Sequence, residues 1–93
     1  MGERLMTILY IRDIFAFEHG VTVIVGVVEG DIPLRIKAVE ATVFLKGKAV
    51  GSLCLTDEWM PGPATHPQHR SVATRDTFNW DHERVKASEY SLR

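Results

Sequence analysis

Residues 13–32 read DIFAFEHGVTVIVGVVEGDI, and their reading decides the fold. Two apolar segments meet at Glu18, His19 and Gly20, and neither shows the 3.6-residue period of a helix. Val21 to Glu29 places β-branched residues at seven positions; branching at Cβ narrows χ1 in a helix and suits a pleated strand. Apolar residues on both faces predict a strand covered on both sides, or one at the centre of a barrel. Gly20 is the expected positive-φ residue of the turn. Gly26 removes a side chain where a barrel strand must bend or another backbone must cross closely.

Outward from this hairpin the β reading continues. Leu5 to Ile11 (LMTILYI) has branched and aromatic residues and no helix cap ahead of it, which predicts a strand. Arg12-Asp13 then marks a kink or bulge before Ile14 to Phe17. Gly30-Asp31 is a second turn signal, and Ile32 to Val39 reads as a strand that starts at an edge, because Pro33 cannot donate to a ladder. In it Leu34, Ile36 and Ala38 share one face, and Arg35 and Lys37 the other. Glu40 to Leu45 and Ala49 to Thr56 flank Lys46-Gly47-Lys48, a three-residue hairpin loop, with Gly51 suited to a bulge or crossing.

After Thr56 the texture changes. Residues 57–93 hold three of the four prolines, three of the four histidines and both tryptophans. Pro61, Pro63 and Pro67 predict a long loop over 57–77, and Asp81 is placed to cap a short helix from His82 to Leu92 with Val85, Ser88 and Leu92 as its apolar stripe. The expectation is an all-β protein: a small antiparallel β-barrel core over 1–56, and a tail over 57–93 packing on it or extending from it, together one domain.

At 93 residues there is room for one modest core, and 45% hydrophobic with 25% charged residues is ordinary for a folded protein. A net charge of -1 sets up no field for a polyanion, which argues against nucleic acid as the partner. Cys54 is the only cysteine, so the expected compartment is the reducing cytoplasm. No apolar run reaches the length of a membrane helix, and the first residues show neither a signal-peptide nor a myristoylation pattern.

Candidate chemistry lies mostly in the tail. His66 and His69, at i,i+3 spacing, and His82 are the side chains from which a metal-dependent hydrolase would be built, but no second short-spaced pair completes a zinc site. Cys54, between Leu53 and Leu55 in an apolar strand, reads as a small packed hydrophobe. Gly20, Gly26 and Gly30 are followed by no lysine-serine or lysine-threonine pair, so no phosphate loop and no cofactor is implied. Four aromatics stand out in the tail: Trp59, Phe78, Trp80 and Tyr90. They either plug the open end of the barrel or anchor a partner. Arg12, Arg35, Lys37, Lys46 and Lys48 are the cations that would have to form one patch for an RNA-binding or ribosome-associated role.

Asp13, Ile14, Phe15 and Phe17, followed without a gap by Thr22, Val23, Ile24, Gly26, Val28 and Glu29, resemble the opening of the second domain of elongation factor Tu and related translational GTPases. There a strand of the form D-V-F-x-I turns and returns as T-V-V-x-G-x-V-E. The resemblance covers about a fifth of the chain and implies an antiparallel barrel that packs against a GTPase domain and in several members helps hold the acceptor end of transfer RNA. The turn glycine is displaced to Gly20, Val27 stands where arginine is usual, and the 93 residues hold no GTPase domain. The function expected is therefore a non-enzymatic protein-interaction module linked to translation factors. It has no catalytic residue, and a strand edge at Leu5 to Ile11 or at the Pro33 strand is open to a second copy.

Overall fold

The structure, a computed structural model, describes residues 3–5, 7–29, 36–58 and 69–93. In chain order the elements are β1 (Glu3–Arg4), β2 (Ile8–Phe17), a 3-10 turn (Glu18–Gly20), β3 (Val21–Glu29), β4 (Val39–Leu45), β5 (Lys48–Glu58), β6 (His69–Thr74), α1 (His82–Lys86) and β7 (Tyr90–Leu92). Six strands close a ring in the order β4, β5, β6, β3, β2, β7 and back to β4, with every neighbouring pair antiparallel. β1 lies outside this ring, parallel to the start of β4. The fold is all-β, a closed six-stranded barrel with one short helix, as the hydrophobic pattern predicts.

The β2–β3 hairpin is the longest pairing and follows its sequence reading closely. Leu9, Ile11 and Ile14 point into the barrel opposite Val28, Gly26 and Ile24. Inward positions 9, 11 and 14 break the two-residue period once, and Arg12 is the extra residue of a β-bulge. At the bulge a Cβ on Gly26 would overlap the Tyr10 carbonyl oxygen and reach the Leu9 side chain at 3.0 Å. The glycine is what lets the two backbones approach. The turn uses two left-handed residues, His19 at φ 68° and Gly20 at φ 74°.

Several boundaries differ from expectation, each for a local reason. Lys46 and Gly47 both have positive φ, and Leu45 pairs with Lys48, so the β4–β5 loop has two residues in a type I′ arrangement and Lys48 belongs to β5. Val50 is the unpaired residue of a second bulge beside Gly51. Of the strand expected over Ile32 to Val39, only 36–39 fall among the described residues. Ile36 is buried and Lys37 exposed, but Ala38 is exposed at φ 51°, and regular pairing starts at Val39.

The larger correction concerns the chain after Thr56. β5 runs on to Glu58, and His69–Thr74, expected as loop, is β6, inserted between β3 and β5. The expected helix to Leu92 is only His82–Lys86. Asp81 does cap it, its carboxylate accepting from the Glu83 and Arg84 amides, but Ser88 at φ 58° turns the chain and Tyr90–Leu92 becomes β7. Three residues of strand bonded to β2 on one side and β4 on the other outweigh another turn of a weakly amphipathic helix. Leu9 and Tyr10 pair with β7, so the edge expected to be open over Leu5 to Ile11 is occupied there. Beyond Tyr10 the edge of β2 is flanked by α1 and by the turn that follows it, where the Arg12 guanidinium donates to the Ser88 hydroxyl at 3.4 Å. The Pro33 strand lies outside the described residues.

Candidate functional site

The tail aromatics are the first candidates, and three of them form one cluster. The ring centroids of Phe78 and Trp80 are 4.5 Å apart, those of Trp80 and Tyr90 5.0 Å in an edge-on arrangement, and those of Phe78 and Tyr90 6.2 Å. Tyr90 is 3% exposed, and its hydroxyl accepts from the Asp81 amide at 3.2 Å. Phe78 lies over Gly51 so closely that a Cβ there would stand 2.7 Å from its ring. Trp80 shares a small cleft with Ile14, Ala16 and Thr22 of the β2–β3 hairpin. Segment 75–81 thus straps one end of the barrel from β5 towards β2, and the rings pack on the core. Trp59 lies outside the described residues.

Among the described residues Arg12, Lys46 and Lys48 lie at one corner of the barrel and Lys37 lies apart from them. Arg12 and Lys46 meet consecutive residues of the turn after α1: Arg12 bonds Ser88, and Lys46 pairs with Glu89 at 3.1 Å. Arg84 pairs with the same Glu89 carboxylate and with Asp81. Lys48 stands at the same corner, opposite Leu45. Lys37 precedes the other end of β4, about 20 Å from the Lys46 turn at strand rise. Arg35 lies outside the described residues.

The two tail histidines among the described residues, His69 and His82, are also apart. His69 pairs with Val27 on β3, whereas His82 lines the cleft with Thr22, and the five steps between those β3 residues span about 17 Å. His66 lies outside the described residues, among which no three of His, Cys, Asp and Glu are grouped to hold a metal ion. Cys54 is exposed, contrary to its reading as a packed hydrophobe. Leu53 and Leu55 both point inward, and on a strand that turns the residue between them outward. No helix among the described residues is long and apolar enough to cross a membrane.

What the sequence reading missed is the outer face of the β2–β3 hairpin. Phe15 is 47% exposed and Phe17 50%, side by side on the outward face of β2, opposite Val23 and Val21. Beside Phe17 a groove of about 630 Å³ is lined by Phe17, Glu18, His19, Val21 and Arg75. Both phenyl rings thus stay about half in water on the outside of the closed barrel. The signal was in the sequence: once Ile14 and Ile24 are inward, alternation forces Phe15 and Phe17 outward. Comparison of the chain with protein-family models, with curated proteins and with solved structures returned no match in any of the three.

Proposed function

We propose that this protein is a non-enzymatic β-barrel module that binds another protein through the outer face of its β2–β3 hairpin. The observation that carries the reading is the contrast between two sets of aromatics. Phe78, Trp80 and Tyr90 pack on one another and on the core, while Phe15 and Phe17 stand half-exposed on one outward strand face. Aromatic side chains are the residue type that dominates interface energetics, because they desolvate a large area with few rotors. The expected anchors in the tail are thus reassigned: the strap holds the barrel end, and the hairpin face binds.

The finer reading, a link to translation, rests on the residues from Asp13 to Glu29 that resemble the second domain of elongation factor Tu, together with the barrel that this resemblance implies. The same hairpin carries both the resemblance and the exposed face. The test is retention of partners from source-cell lysate by the immobilised protein. A specific partner is expected on the wild type and is lost from Phe15→Ser/Phe17→Ser, with the thermal unfolding midpoint of the variant within a few degrees of wild type. A partner that survives this change but is lost with Trp80→Ala places the binding surface in the strap instead.

A further inference from the structure

We propose that the occupant of the hairpin face is a second copy of this chain, docked across a two-fold axis; this rests on the interaction reading above and names its partner. The groove beside Phe17 holds one carboxylate, Glu18, and one guanidinium, Arg75, in the same lining as Phe17, His19 and Val21. Both are exposed, and among the described residues neither makes an ion pair, with the other or with any third group. A groove with one charge of each sign and an apolar floor is its own complement. Rotation by 180° sets Glu18 of each copy against the partner's Arg75, twice, with the phenyl rings of Phe17 brought together and Phe15 extending the contact along the strand.

The choice of occupant follows from the charges. A uniformly acidic partner would confront Glu18 with its like, and a basic one would confront Arg75. A second copy satisfies both charges without introducing another. The closed ring excludes strand addition at the Leu9–Tyr10 edge, so the contact is face to face between outward side chains. A face made from one hairpin and one adjoining arginine is at the small end of specific interfaces, and the dimer is concentration-dependent.

The experiment is sedimentation equilibrium of the full chain over a concentration series, with the thermal unfolding of each variant recorded alongside. The wild type is expected to move from monomer to dimer. Glu18→Arg and Arg75→Glu each create two like-charge contacts and raise the dissociation constant about tenfold or more. The double variant Glu18→Arg/Arg75→Glu exchanges the pair and returns the constant to within roughly threefold of wild type. A wild type that stays monomeric up to its solubility limit overturns the proposal, as does a dimer indifferent to the single changes or one that the exchange does not restore. Should the wild type stay monomeric while Phe15→Ser/Phe17→Ser still loses a cellular partner, self-docking is refuted and heterologous binding stands. A restored dimer with no cellular partner upholds self-docking and refutes heterologous binding.

Discussion

Tyr10 stands on the outward side of β2, opposite Val27, and its phenol is hydrogen bonded to the Glu29 carboxylate. That bond favours the protonated phenol and raises its pKa above the ordinary 10.0; desolvation and the Glu29 charge act in the same direction, and Arg93 opposes them. The folded chain therefore holds this proton more tightly than the unfolded one. The resulting stabilisation is complete below the unfolded-state value and is lost as pH rises through the raised folded-state value. Urea denaturation should find wild type ahead of Tyr10→Phe by a constant margin through neutral pH, closing on the alkaline side above about pH 10. A margin that widens with alkali would contradict the assignment. Single residues were legible where sterics left few solutions: Gly26 was readable as a point of bend or close backbone approach, of which the structure shows the approach, and Arg12-Asp13 as the kink. The exposure of Cys54 was not legible from its apolar neighbours, because Leu53 and Leu55 are buried and alternation turns the residue between them to solvent.

Among the elements, the strap and the β5 bulge depend on each other. Phe78 occupies the space over Gly51, so Gly51→Ala must displace the ring or the strand and is expected to cost about 1–3 kcal/mol. Phe78→Ala carries its own cost from lost burial, but it vacates the contact. In the double variant the two losses should sum to less than their separate values by about 1 kcal/mol or more. Additive losses in thermal or urea unfolding would show that the ring does not rest on Gly51. The elements of the first half were legible because β-branched runs and turn glycines agree there. β6 was not: HRSVAT carries only Val72 and Ala73 as apolar residues, and it becomes a strand because β3 and β5 supply partners on both sides. β7 was hidden in the same way, with Ser91 buried between β2 and β4 where period and propensity say little. The outward hairpin face was present in the alternation of residues 14 to 17, but it becomes a surface only once the inward side is known.

For the whole molecule, closure rests on three residues. Tyr90, Ser91 and Leu92 bond β2 to β4, and the Arg93 amide and carbonyl continue the ladder with Thr42 at 3.0 and 2.9 Å. Removing Tyr90 to Arg93 opens the ring between β2 and β4, uncovers Leu9 and Val43, and deletes one ring of the aromatic cluster. The expected outcome is loss of a cooperative thermal transition and of amide dispersion in NMR spectra, whereas a variant that only shortens a frayed end would keep both.

The pairing of Leu9 with Leu92 also governs how the protein acquires its shape in time. Contacts between residues so distant in sequence require a long loop to close before any gain is realised, which places the chain among slow folders for its size. During synthesis the ring cannot shut until Leu92 has left the ribosome, and until then the apolar seam between β2 and β4 faces water. Early capture of that seam by another nascent chain is the failure to which this topology is most exposed.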